Sequence, residues 1–344
     1  MKSHFATDTA FPSTIAHPFD GPLPDWWGKP LPLLEPRCSI VGHAFVSRSA
    51  ILGWPRNVAT CVQDPHGQTI EEAVFRRVAP VSVAPADLEV QRTSARTISG
   101  AYVYLGWLIG HYGHFLTESI SRLWYSLREA SPRQFIVHAN YRRYKDFPNH
   151  VQAVLKSFGI TEENLLLANQ PMIVEELHCP SQALRCDHGT SAHAATVYRH
   201  IQIKILGGSE PKTQNRKLYL SRSEVTGNQR HFNDSEAWAV HRNFGYERVL
   251  PETLNFQEQL ALYAQASNIS GPVGSAMHNA AFTLPNGVIT ILAPNSFLFK
   301  NDNLLAASCG YDLRYCMTDT GSATLVQRPW KCNIIQLENI LGGD

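Results

Sequence analysis

The chain has 344 residues, 44% of them apolar and 17% charged; at ~150 residues per domain this is about two domains with room for two cores, and it excludes a disordered chain. The 30 Lys and Arg face 29 Asp and Glu for a net charge of +1, which gives no electrostatic case for nucleic acid as a partner. No stretch nears the ~18 consecutive apolar residues of a membrane span. Seven cysteines without a CxxC pair read as reduced thiols, and residues 1–22 lack the apolar segment of a secretory signal; both point to a cytoplasmic protein.

Residues 1–36 are rich in proline and hold Trp26 and Trp27, an extended arm by proline's fixed φ and missing donor. Residues 37–206 read as a first α/β domain. Short β-like runs stand at 39–46, 72–78 and 97–107, the last (TISGAYVYLGW) the strongest in β propensity. Leu116, Ile120, Leu123 and Leu127 then fall on one face of a helix extending back to His111. A buried strand at 135–138, a helix at 151–158 stopped by Gly159, a strand at 172–178 and a helix at 192–206 follow. The run GGSEPKTQNR, 207–216, is a linker.

Residues 217–318 alternate cleanly. Strands are expected at 217–221, 246–250, 267–271, 288–292 and 312–316. Helices lie between them: one begins at Asp234 or Ser235 and stops at Gly245, one opens on an Asn255/Glu258 capping pattern, one spans 276–284, and one runs from 303 to 309 before Gly310. Five strands alternating with four helices predict a doubly wound parallel sheet. Two such α/β domains place a ligand cleft at their strand C-termini. Residues 319–344 form a tail expected to pack back on the N-terminal domain.

Three segments carry chemistry. On a continuous helix, His111, His114, Glu118 and Arg122 share the face opposite the leucines; two imidazoles and a carboxylate there suit a general base. The bland alternative is a Glu118–Arg122 surface pair with the histidines capping the helix; no third ligand at a familiar spacing supports a metal. Second, Ser221-Arg222 ends the first strand of the parallel sheet, where a guanidinium suits a diphosphate. Third, Gly271 to Asn279 (GPVGSAMHN) reads strand, glycine turn, helix start, so the backbone N–H groups of Gly274, Ser275 and Ala276 converge on a phosphate position. The alternative there is plain turn chemistry, with His278 a core-edge residue. The segment 141–145 (YRRYK) reads as a solvated basic face.

Taken together, HYGHFLTESISRLW (111–124), LSR (220–222), GYERVLPETLNFQEQ (245–259) and the 271–279 turn resemble, in order and separation, the bacterial capsular-polysaccharide branch of glycosyltransferase family 61. The resemblance spans roughly residues 106–317. It implies a GT-B architecture of two Rossmann-like domains facing a cleft, with the nucleotide sugar on the C-terminal domain and the acceptor on the N-terminal one. It also implies inversion at the anomeric carbon and no metal-binding DxD motif. Accordingly His111, His114 and Glu118 are candidate catalytic groups. Arg222, Ser221, Gly274, Ser275, Ala276 and Asn279 would serve the donor diphosphate, and Leu250 and Glu252 the nucleoside. No cofactor or metal is expected beyond the donor, with a UDP-sugar favoured. The acceptor would be a glycan or lipid-linked glycan of a capsule, exopolysaccharide or lipopolysaccharide, so that peripheral contact with the inner face of the membrane and a homodimer are both compatible with the sequence. Two departures stand out: the family's histidine in the turn is Val273, and its acidic residue after the next strand is replaced by Leu292-Ala293. They motivate an alternative, a catalytically degenerate scaffold that binds nucleotide or glycan.

Overall fold

The computed structural model describes residues 10–11, 15–16, 21–53, 57–208, 215–222, 233–283, 285–318 and 330–343. Most of the 207–216 linker and the first part of the 319–344 tail lie outside them. The chain divides into two units, residues 34–205 and residues 1–33 with 206–344. Both are α/β, with helices flanking the sheets.

The unit 34–205 is built on a mixed sheet. Its strands are β1 (Cys38–Val46), β2 (Val62–Gln63), β3 (Arg96–Leu108), β4 (Gln134–Ala139), β5 (Leu165–Leu167) and β6 (Met172–Pro180), in the order β5-β4-β3-β6-β1-β2. The first four in that order are mutually parallel, while β1 and β2 are added antiparallel. The β-branched and aromatic run at the centre of β3 pairs on both sides, and Ala44, Val46, Tyr104, Ile136, Val174 and Leu177 form the core. Each such fully buried Val, Leu or Ile contributes ~1.5–3 kcal/mol. Besides a short helix at Leu88–Thr93, the unit carries α1 (Tyr112–Thr117), α2 (Asn149–Ser157) and α3 (Ala192–Ile205).

Two expectations fail here. Residues 72–78 make no strand: Glu71–Ala73 is a single 3-10 turn, whose carbonyls are taken up by a buried arginine. The helix expected over 111–127 breaks at Glu118 into α1 and a 3-10 segment, Ser119–Leu127. The tighter pitch no longer keeps Arg122 on the face of His114.

The other unit carries β7 (Arg216–Leu220), α4 (Asp234–Asn243), β8 (Glu247–Val249), α5 (Phe256–Tyr263), β9 (Ala266–Pro272), β10 (Val288–Pro294), α6 (Lys300–Cys309), β11 (Asp312–Thr318) and α7 (Ile334–Gly342). Its sheet is wholly parallel in the order β8-β7-β9-β10-β11, with Ile15–Ala16 added outside β11. The doubly wound expectation holds. Local signals act as read: Asn255 and Glu258 close a reciprocal capping box on α5, and Gly310 ends α6 at φ 77°. The segment expected as a helix at 276–284 is 3-10, Ser275–Phe282.

The described part of the tail, residues 330–343, departs from expectation: Leu337, Ile340 and Leu341 of α7 pack with Tyr219, Leu292 and Cys316 of the parallel sheet and Val240 of α4, as part of the unit that holds residues 206–344 rather than of the N-terminal domain. The apolar face of α7 finds there a sheet face that α4 alone leaves open. The arm joins the same unit: Trp27 lies 5.2 Å from the Tyr315 ring, and Asn295 Nδ2 donates to the Pro22 carbonyl at 3.2 Å.

Candidate active site

In the unit 34–205, parallel β3, β4 and β6 bring Leu108, Ala139 and Pro180 to one edge of the sheet. Ligands of α/β sheets bind at that edge. The chain leaving β3 turns through Gly110 into α1. The turn is held by the Ile109 N–H, which donates to Ser119 Oγ at 2.8 Å, and by the Phe115 N–H, which donates to the His111 carbonyl at 2.8 Å.

On α1, His114 Nδ1 is hydrogen-bonded to Glu118 Oε1. Glu118 is 3% exposed and accepts from Arg77 twice, Nε to Oε2 at 3.0 Å and Nη2 to Oε1 at 2.9 Å. Burial alone would raise the Glu118 pKa, but the bonds from His114 and Arg77 outweigh it and hold it below the usual carboxylate value. Burial likewise works against the Arg77 charge, and Glu118 more than restores it. The carboxylate is therefore ionised and fully engaged, which makes it a poor base and a good anchor. It holds the His114 ring by Nδ1. His114 itself is part-buried, with its side chain 34% exposed.

His111 is exposed and 5.1 Å, ring to ring, from His114. Partial desolvation and the neighbouring imidazole push its pKa down. Its side chain makes no capping bond to α1.

Arg122 is where the sequence reading fails most clearly. It does not pair with Glu118 on a surface. It is 2% exposed and donates to the carbonyls of Glu72, Pro180, Ala73 and Val74. Gly106, at φ 85°, makes room: a Cβ there would stand 2.6 Å from Arg122 Nε.

Three neighbours of the site escaped the sequence. Arg77 lies 41 residues from Glu118, in a segment read as strand, and no spacing rule connects them. Tyr141 opens the supposed solvated loop, yet a Cβ on Gly110 would fall inside its hydroxyl. His150 packs edge-on to Tyr112 and Phe115, and burial drives its pKa down to about 4, against the opposing pull of the Gly110 carbonyl. The aromatic spacing of 141–147 was the one available hint.

In the other unit, β8-β7-β9-β10-β11 is the order 2-1-3-4-5. Its switch point lies between β7 and β9, where such sheets bind ligands. Ser221 and Arg222 follow β7, and Val273, Gly274 and Ser275 follow β9. Arg222 is half-buried; desolvation lowers its pKa and the charge of Glu252 opposes that shift. Glu252 is exposed and Leu250 half-buried at the end of β8. Gly274 adopts φ 153°, ψ −178°, a conformation reserved for glycine, and the 3-10 segment starts at Ser275, with Ala276 after it.

Two candidates are held by side chains of their own unit. The Ser221 hydroxyl donates to Asp234 at 2.7 Å, in a network with Tyr219 and Arg248. Asn279 is wholly buried and donates to Gln259 Oε1 at 3.2 Å, bracing the 3-10 segment against α5. His278 is a buried edge residue 3.7 Å from Asp302. Among the described residues no three His, Cys, Asp or Glu side chains gather as a metal-binding group, and no helix is long and apolar enough to cross a membrane.

The model of the family described as Glycosyltransferase 61 matches residues 112–290, just over half of the chain. The match takes in His114, Glu118, Arg222 and the 271–279 turn and leaves Arg77 and His111 outside. No curated protein matches the chain.

Proposed function

The chain belongs to glycosyltransferase family 61, and on that premise we propose that it is an inverting transferase of GT-B plan that moves a sugar from a nucleotide donor to a glycan acceptor. The donor is a UDP-sugar held by the parallel-sheet unit; the acceptor belongs to a surface polysaccharide and is held by the unit 34–205. Transfer takes place in the cytoplasm, at the inner face of the membrane where the acceptor is lipid-linked. The observation that carries this reading is the His114–Glu118–Arg77 relay on a ligand-binding sheet edge.

In a single displacement His114 Nε2 takes the proton of the acceptor hydroxyl. The freed oxygen forms its bond to the anomeric carbon as the bond to the diphosphate oxygen breaks, and the configuration inverts. A base of this kind contributes ~10²–10⁴-fold. Glu118 stabilises the imidazolium that forms, and Arg77 keeps Glu118 ionised. Arg222 and the backbone N–H groups at Gly274 to Ala276 take up the charge of the departing nucleoside diphosphate in place of a metal; one such preorganised donor is worth ~10²–10³-fold. Glu252 and the Leu250 backbone line the nucleoside side.

A second reading has one observation in its favour. Where the family's turn carries histidine, Val273 is 1% exposed and its N–H donates to the Leu292 carbonyl at 2.9 Å, so this position is core. A scaffold that binds nucleotide without turnover would tolerate that change. Calorimetry with UDP, GDP, CMP, dTDP and their sugars, on wild type and Arg222→Ala, separates the readings. The transferase binds one nucleotide, and Arg222→Ala weakens it by ~10–100-fold, the worth of a charge-assisted bond. No binding at millimolar ligand overturns the donor site, and tight binding with no transfer to any acceptor favours the scaffold.

A further inference from the structure

On the same unit as His114, the chain leaving β6 through Ser181, Gln182 and Arg185 borders an open cavity of about 200 Å³, lined also by Arg37, Glu71 and Arg76 among others. That is smaller than the ~300–1,000 Å³ of drug-sized sites and suits one compact unit. Because β6 runs parallel to β3, Ser181 and Gln182, which follow β6, lie at the sheet edge that carries the candidate base.

Two of the residues that line it hold buried donors that the protein leaves unused. Gln182 is 5% exposed; its Oε1 accepts from the Arg76 N–H at 2.8 Å, which fixes the amide orientation and turns Nε2 the other way. Among the described residues neither Gln182 Nε2 nor Arg185 Nε has a hydrogen-bond partner, although both atoms are buried. Buried donors in native proteins are nearly always paired, and one left unpaired is costly. Arg185 also bears the repulsion of Arg76, which adds to desolvation in lowering its pKa. Set against Arg37, Arg76 and Arg185 are Glu35, Glu71 and Glu72. The lining is thus balanced in charge and rich in both donors and acceptors, which matches a ring of hydroxyl groups better than a phosphate or a cation.

We propose that this cavity is the subsite for one sugar ring of the acceptor glycan, with ring oxygens accepting from Gln182 Nε2 and Arg185 Nε and ring hydroxyls donating to the Glu71 and Glu72 carboxylates. The subsite is wired to the base. Arg185 Nη2 donates to the Arg77 carbonyl at 3.0 Å, and the Arg77 side chain holds Glu118. A sugar seated on Arg185 therefore sits one residue from the group that orients His114. The inference rests on the transferase reading, but it is tested without turnover.

The test is saturation-transfer NMR on the full chain with neutral methyl hexosides and methyl hexuronides, alongside nucleotide titration of the same samples. The variants are Gln182→Met and Arg185→Gln, each checked for an unchanged melting curve. At least one glycoside is expected to bind at millimolar concentration, and loss of one wall donor to weaken it ~10-fold, the worth of one hydrogen bond. A preference for hexuronides or for neutral hexosides identifies whether the ring carries a carboxylate to Arg185. No glycoside binding by a chain that binds nucleotide overturns the proposal, as does equal binding by wild type and both variants. Glycoside binding without any nucleotide binding overturns the transferase reading and leaves the sugar subsite standing.

Discussion

Replacing Arg122 with methionine separates the buried role seen in the structure from the surface pair its sequence position suggests. An exposed Glu–Arg pair is worth ~0–1 kcal/mol. The actual guanidinium is buried and serves four backbone carbonyls, those of Glu72, Ala73, Val74 and Pro180. Each buried acceptor left without a donor costs ~1–3 kcal/mol. Part of that is returned, because removing the arginine also removes the desolvation that lowers its pKa. The net expectation is ~3–5 kcal/mol, the range found when one side of a buried charged network is deleted. For a unit of this size, 1 kcal/mol shifts Tm by ~2–4 °C, so the melting transition of the unit falls by ~6–20 °C. Arg122→Lys keeps the charge but not the planar fork, and is expected to lie between wild type and Arg122→Met. Urea unfolding followed by circular dichroism reads both. A loss under ~1 kcal/mol for Arg122→Met would falsify the argument and restore the surface pair.

Further outcomes follow from the site and the cores. Glu118→Gln removes the anchor of the His114 ring and leaves Arg77 without its anion; kcat is expected to fall ~10²–10⁴-fold while calorimetric nucleotide affinity stays as in wild type, and equal activity in the variant would remove Glu118 from the relay. Gly110→Ala drives a methyl into the Tyr141 hydroxyl at a cost of ~1–3 kcal/mol; Tyr141→Ala in the same chain should recover most of it, and a double variant no more stable than Gly110→Ala would show that the contact is not the cause. His138 and His241 are buried, and burial pushes both pKa values to about 4. Neutral in the fold and protonated near 6.5 when unfolded, each contributes fully above pH ~6.5 and loses about 3 kcal/mol as pH falls toward 4. Denaturation midpoints measured across that window should drop steadily in wild type and less steeply in His138→Gln, and a flat profile would contradict the assignment.

The parallel-sheet unit was legible because its signals are local. The Asn255/Glu258 box, the glycine stops and the apolar runs of β7, β9, β10 and β11 each act within a few residues, and the alternation then dictates the topology. The 34–205 unit was less so. Residues 72–78 look like a strand, yet their carbonyls go to Arg122, a partner some 50 positions away. Periodicity recognised the apolar stripe of 116–127 but could not see that the opposite face is also buried, because Arg122 and Glu118 are charged residues that find partners from elsewhere in the chain. The dyad itself was visible as His114 and Glu118. Arg77, which joins His114 in holding the carboxylate ionised, was not. At the switch point between β7 and β9 the strand and its glycine turn stand where the sequence puts them, but the 3-10 form of 275–282 and the engagement of Ser221 with Asp234 and of Asn279 with Gln259 depend on contacts between elements that no single segment encodes.

The strand Ile15–Ala16 adds to the outer edge of β11, pairing with Leu313 and Arg314. That edge would otherwise present unpaired N–H and C=O groups, a template for joining another chain. Its cover comes from the opposite end of the polypeptide, so during synthesis the sheet cannot be sealed until β11 has emerged, long after the arm. Until then the arm waits without its partner strand, and long-range closure of this kind is slow. Production of the protein therefore bears on the arm as much as on the sheet it covers: a bulky fusion placed before Ile15 competes with the seal, and its expected signature is association through β11 at high concentration rather than loss of the fold.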